Sequence, residues 1–226
     1  MDTFHSIPTM DISPLRPHGL AKLGLKLPDL LPLVDEALFF DIDWTLQKFA
    51  HREHGEVFGD GKNHFDPSNI QKKVAEGGLD YRLIVRQEQS GLKQESWLGS
   101  AGNIALKKTA LVEYIYDALG DNAKYFGKVF FLKMDTDQGF IPHKDGGGTS
   151  RLYIPISPIG EKYSRLEFYH NNQIYYVYNY ETPPPVYLFS SRLIHAVFNY
   201  GYPERINLQI NCKLPYAEAL ALFDES

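Results

Sequence analysis

His143 and Asp145 stand two residues apart in IPHKDGGG, residues 141–148. Residues i and i+2 of an extended segment project to one face, so an imidazole and a carboxylate would point the same way. Lys144 would point the other way, and the three glycines would let the chain turn sharply after the acid. A histidine, a carboxylate and glycines are poor choices for a strand on packing grounds. Their types suit a divalent metal. Two histidines and one carboxylate can hold three positions of an iron centre and leave the others open. His195, in SSRLIHAVFNYG, is the candidate for the second imidazole. It lies 52 residues after His143, enough for several antiparallel strands to return beside the first pair. The same ligands would accept Mn, Co or Zn, so ligand identity alone does not choose the metal.

Arg205 follows His195 by ten residues, at the start of RINLQINCKL. A strand, a turn (YGYPE) and a returning strand would put this guanidinium beside the metal. A guanidinium grips a carboxylate bidentately, which suits a dicarboxylic co-substrate chelating the metal at its other end.

H-K-D, a distal histidine about fifty residues on and an arginine ten beyond it, all on short strands, resemble the Fe(II)/2-oxoglutarate-dependent oxygenases. The resemblance covers about residues 127–214. In its finer pattern, SRLYIPI after the first pair and LFSSRLIHAVFN around the distal histidine, it is similar to the aspartyl/asparaginyl β-hydroxylase and cis-proline-hydroxylase branch. It implies iron held by His143, Asp145 and His195, with Arg205 on the far (C5) carboxylate of 2-oxoglutarate. Arg151 matches an arginine that helps hold the cofactor there, and Tyr153 a polar cofactor contact. Asn207 stands where many members carry Ser or Thr. The chemistry implied is use of O2 and oxidative decarboxylation of 2-oxoglutarate to succinate and CO2, coupled to hydroxylation of an amino-acid-like small molecule or protein side chain. Asp145 reads against the halogenase variant, which lacks the acid. Asn211, six residues after Arg205, replaces the second arginine of the nucleic-acid repair branch.

These residues need a β framework. From Phe126 eight short β-rich segments follow one another: GKVFFLKMD, FIPHKD, SRLYIPIS, RLEFYHN, QIYYVYN, PVYLFS, HAVFNY and RINLQINCKL. Turn signals separate them. They predict a barrel or jelly-roll sandwich; with the resemblance, the expectation is a double-stranded β-helix (jelly roll) core over residues 126–216. Residues 1–125 read as a mainly helical support, giving a mainly β fold and one domain over 1–226. In that half, residues 1–20 read as an extended lead-in, PDLLPLVDEALFF as a short helix or a buried turn, broken by Pro32, DPSNIQKKVAEGG as a short helix and GLDYRLIVRQEQ as a strand. SAGNIALKKTALVEYIYDALG (100–120) gives the strongest helical pattern, ending at Gly120. YAEALALF predicts a closing helical turn or two.

The chain has 226 residues, 43% hydrophobic and 23% charged, enough for a sizeable core. A net charge of −5 and a pI near 5.9 give no basic footprint for nucleic acid. No apolar run approaches the roughly 20 residues of a membrane span. MDTFHSIPTMDISPL has neither the basic nor the apolar region of a secretory signal. One cysteine, Cys212, excludes an intramolecular disulfide and suits a reducing, cytoplasmic setting.

Other conspicuous residues have plainer readings. HREH (51–54) reads as a solvated helical face, His170 as a hairpin tip, DGGG as a turn and GDGKNH as a loop. Tyr175, Tyr176, Tyr178 and Tyr180 read as strand packing, Arg192 as a surface residue that could face substrate, and Cys212 as a small buried hydrophobe. Two other functions fit the same strands. One is a cupin-like metal enzyme without 2-oxoglutarate, the other a non-catalytic jelly-roll binding module.

Overall fold

The computed structural model describes residues 9–38, 101–105, 109–135, 138–144, 149–157, 164–171, 173–177, 181–199 and 204–224. The eight segments after Phe126 are all strands: β3 (Phe126–Asp135), β4 (Gln138–His143), β5 (Ser150–Pro155), β6 (Ser164–His170), β7 (Gln173–Val177), β8 (Tyr187–Ser190), β9 (His195–Asn199) and β10 (Glu204–Cys212). They follow β1 (Leu20–Lys22) and β2 (Ala101–Ala105).

They form two antiparallel sheets. The larger has the order β1-β8-β5-β10-β3-β2, the smaller β4-β9-β6-β7. The eight strands β3–β10 pass between the sheets in the wrapping order of a jelly roll, with β6 and β7 forming a hairpin within the smaller sheet and β1 and β2 extending the larger sheet at its edges. The chain is therefore mainly β, a double-stranded β-helix with a few helices against it.

Alternation along each strand sorts the side chains into two layers. On β10, Leu208, Ile210 and Cys212 are buried in a cluster with Leu152 and Ile154 of β5 and Val129 and Phe131 of β3. Three helices cover it: α1 (Leu30–Glu36), α2 (Ala110–Leu119) and α3 (Tyr216–Asp224). They contribute Leu30 and Val34, Leu111 and Ile115, and Tyr216 and Ala219. Burying each such Leu, Ile or Phe contributes roughly 1.5–3 kcal/mol. The second cluster joins both sheets through Tyr153, Leu166, Phe168, Val177, Tyr187 and Phe189. It fills the barrel interior, where the candidate site residues also lie.

Pro32 does not break α1. It stands in the first turn, where the missing N–H has no intrahelical partner to lose. The long helix expected from residue 100 is divided. Ala101–Ala105 pair with β3 from Ala101 opposite Met134 to Ala105 opposite Phe130. The helix begins at Ala110, with Thr109 as its N-cap: the Val112 N–H donates to Thr109 Oγ1 at 3.3 Å. Ladder bonds on an open sheet edge outweigh helical periodicity over residues that include Gly102 and Asn103. Among the described residues of 1–125, β1 and β2 stand beside α1 and α2. The closing segment forms α3, longer than a single turn. The helix expected over 66–78 and the strand over 78–89 lie outside the described residues, as do HREH and GDGKNH. No helix among the described residues is long and apolar enough to cross a membrane.

Candidate metal and co-substrate site

The two histidines are brought together by a β-ladder. β4 and β9 are antiparallel neighbours, and in their register His143 is the direct partner of His195. A register shift between Phe140 and His143 precedes the pairing. Such bulges recur next to functional sites, where they re-aim the chain. Directly paired residues occupy the same sheet face, with Cβ atoms about 5 Å apart. In the chain, β5–β8 lie between the two histidines.

His195 is buried, 5% exposed, and its environment fixes its chemistry. Its Nδ1 lies 2.9 Å from the Leu193 carbonyl oxygen. A carbonyl only accepts, so Nδ1 carries the proton and donates. In the neutral ring that leaves Nε2 as the lone-pair nitrogen. A metal-binding histidine characteristically uses its other N–H in this way. Phe168, its cross-strand partner on β6, and Phe189 of β8 pack against the imidazole, with ring centroids 6.1 and 5.5 Å away. The two phenyl rings belong to opposite sheets, so the imidazole sits between the layers.

Arg205 is among the largest fully buried side chains, 1% exposed. Nη2 donates to Tyr153 Oη at 2.6 Å, and Nη1 donates to the Arg165 carbonyl at 2.8 Å. Tyr153 belongs to the larger sheet and Arg165 to the smaller, so the guanidinium bridges the barrel. Its distance from His195 can be read along β6. His195 is opposite Phe168, and Arg165 is three residues away, about 10 Å at roughly 3.4 Å per residue.

The inward face of β10 is polar throughout: Arg205, Asn207, Gln209 and Asn211 alternate with the outward apolar residues. Asn207 and Gln209 are buried, 1% and 6% exposed. Gln209 Nε2 donates to Asn207 Oδ1 at 2.9 Å. Arg151 Nη1 donates to Gln209 Oε1 at 3.4 Å. Arg151 pairs with Asn211 across β5–β10, six residues along β10 from Arg205. It also pairs with Phe189 across β5–β8, so it belongs to the His195 end of the row. Burying amides and guanidinium groups costs free energy that leucines would not, so this row was not selected for stability.

Of the seven residues singled out in the sequence, Tyr153, His195, Arg205 and Asn207 thus line one buried interior. Arg151 is half-buried at its edge and bonded to it through Gln209. His143 joins at the level of the backbone register. Asp145 lies outside the described residues. Gln209, Ser164 and Asn199 were not singled out. Ser164 and Asn199 are buried cross-strand partners, 1% and 0% exposed, on β6 and β9. Gln209 had a legible signal, the polar-apolar alternation of RINLQINC. Ser164 had none, because a serine ahead of a strand reads as a turn residue. Arg192 is exposed in the turn before β9, His170 ends β6 at the β6–β7 hairpin, and Cys212 is buried.

A cavity of about 290 Å³ opens at the far seam of the barrel, between β1, β7, β8 and the segment before β1. Ile12, Leu20, Val177 and Tyr187 line it, and its cations are engaged, Arg16 with Asp224 and Lys22 with Glu181. Arg151, Tyr153, His195, Arg205 and Asn207 do not line this cavity.

No family model matches the chain, and no curated protein matches it. Solved structures similar to it include a 2OG-Fe(II) oxygenase family oxidoreductase from Burkholderia pseudomallei, with 12% identity over 66% of this chain and 92% of that one, TM-score 0.41. A prolyl-4-hydroxylase from Pseudomonas putida is 13% identical over 82% of this chain and 98% of its own, TM-score 0.41. A prolyl hydroxylase from Trichoplax adhaerens, in complex with a hypoxia inducible factor oxygen degradation domain peptide fragment, is 14% identical over 86% and 93%, TM-score 0.41. Likenesses this distant carry no argument about activity, which rests on the side chains.

Proposed function

We propose that this protein is an Fe(II)- and 2-oxoglutarate-dependent oxygenase that hydroxylates an amino-acid-like small molecule or protein side chain, releasing succinate and CO2. The observation that carries this reading is the direct cross-strand pairing of His143 with His195 in the same barrel as a buried arginine. The donor chemistry fits the metal: His195 holds its proton on Nδ1, which makes Nε2 the lone-pair nitrogen that can coordinate. His143 and Asp145 supply the other two ligands.

Bound iron, with 2-oxoglutarate and O2, supplies the oxidising chemistry; the chain's own residues bind, orient and exclude water. Arg205 takes the far carboxylate of 2-oxoglutarate. Tyr153 holds the guanidinium in place through the Nη2 bond, and Asn207 borders the same space with its amide. The roughly 10 Å between the His195 and Arg205 levels is of the scale needed for a five-carbon diacid with one end on the metal. Phe168 and Phe189 shield the imidazole from water, which strengthens the electrostatic contacts made there. Arg151 contributes a second cation nearer the His195 end, within reach of the keto-acid end of the co-substrate.

The test is a substrate screen that follows succinate release by iron-loaded protein, first with free and N-acylated amino acids, then with peptides. One class should stimulate succinate formation well above the uncoupled background. Absence of any 2-oxoglutarate turnover, coupled or uncoupled, would refute the reading.

A further inference from the structure

Ser164 is the first residue of β6 and is 1% exposed. It shares a strand face with Leu166 and Phe168, two and four residues on, and both belong to the interior cluster. Its hydroxyl is buried with no hydrogen-bond partner. Hydroxyls rarely remain so, because a buried unsatisfied donor costs free energy that an alanine would not. The position explains it. Ser164 immediately precedes Arg165, whose carbonyl accepts the Nη1 bond from Arg205. Across the ladder it faces Asn199, fully buried and four residues beyond His195 on the same face of β9. The Arg205 end of the barrel is thus ringed by Arg205, Tyr153, Asn207, Asn199 and an unused O–H donor.

We infer that Ser164 is a binding residue for the far carboxylate of the co-substrate, its hydroxyl donating to the oxygen that Arg205 leaves available. The inference rests on the proposed 2-oxoglutarate chemistry and deepens it. The site recognises a keto acid by a second carboxylate, held by one charged donor and one neutral donor on opposite sheets. A carboxylate accepts several bonds, so the two donors do not compete. The hydroxyl stays unsatisfied until the ligand arrives, so the folded protein carries a cost that binding removes.

The test compares wild-type protein with Ser164→Ala in anaerobic titrations of the Fe(II)-loaded chains. It follows the visible charge-transfer band with 2-oxoglutarate and with 2-oxobutyrate, a keto acid lacking the far carboxylate. Melting of the metal-free proteins is measured beside it. Ser164→Ala should weaken 2-oxoglutarate about 10-fold, leave 2-oxobutyrate unchanged, and melt at the wild-type temperature or above. A purely structural hydroxyl would instead lower the melting temperature and weaken both keto acids alike, which overturns the assignment. Equal 2-oxoglutarate midpoints in the two proteins overturn the role of Ser164 and leave the proposed function standing. No band in the wild type overturns both.

Discussion

Arg205 of β10 and Tyr153 of β5 are joined by a 2.6 Å hydrogen bond from Nη2 to the phenol oxygen, both side chains being almost wholly buried. The strands are sheet neighbours, yet Tyr153 is the register partner of Gln209, four residues along from Arg205. The two long side chains lean towards each other to meet. The phenol therefore fixes where the guanidinium can reach, and Phe189 backs the tyrosine ring from 6.3 Å.

Tyr153→Phe keeps the ring and removes that acceptor. Hydrogen bonds to charged groups are worth about 1.5–3 kcal/mol, so affinity for 2-oxoglutarate should fall about 10-fold or more. Metal binding should be unchanged, because the phenol is not among the proposed ligands. Anaerobic calorimetric titration measures both. An unchanged affinity for 2-oxoglutarate would remove Tyr153 from the account.

The start of α2 is a second point of test. Thr109 caps the helix through its hydroxyl, and Thr109→Ala should cost about 1 kcal/mol. For a chain of this size that lowers the melting temperature by roughly 2–4 °C. A helix running unbroken from residue 100 would have no cap at 109, and the substitution would then leave the melting temperature unchanged or raise it.

The third test concerns pH. His18 and His170 stack with ring centroids 4.1 Å apart and planes 25° from parallel. Burial lowers the pKa of His170 from its ordinary 6.5, and the charge of His18 pushes it the same way. The folded state therefore favours the neutral ring. Its contribution to stability is fully present above pH 6.5 and is lost as pH falls through the lower folded value. Denaturant midpoints of the metal-free protein should decline below that pH, and His170→Gln should flatten the decline. Parallel curves for the two proteins would show that the stack does not titrate as stated.

Much of this arrangement was legible in the residues. The strands announced themselves because each is short, β-rich and bounded by turns, and RINLQINC carried its inward polar row openly. Spacing alone could not show that β4 and β9 would be neighbours with His143 opposite His195. That pairing is a property of the wrapped sheets, as is the distance along β6 from Phe168 to Arg165. Local pattern misled at residues 101–105, where an available sheet edge outcompeted helical periodicity. Ser164 was invisible because nothing in the chain signals that a hydroxyl will be buried without a partner. Only the packed barrel makes it conspicuous.

His143 and His195 are proposed to share one metal ion. The most direct test is Fe(II) content after anaerobic loading and desalting of the wild-type chain, His143→Ala, His195→Ala and the double variant. Folding of each is checked by far-ultraviolet circular dichroism. About one iron is expected per wild-type chain and almost none in any variant that keeps the β signature. Iron retained by the folded double variant, or no iron held by the wild type, would contradict it.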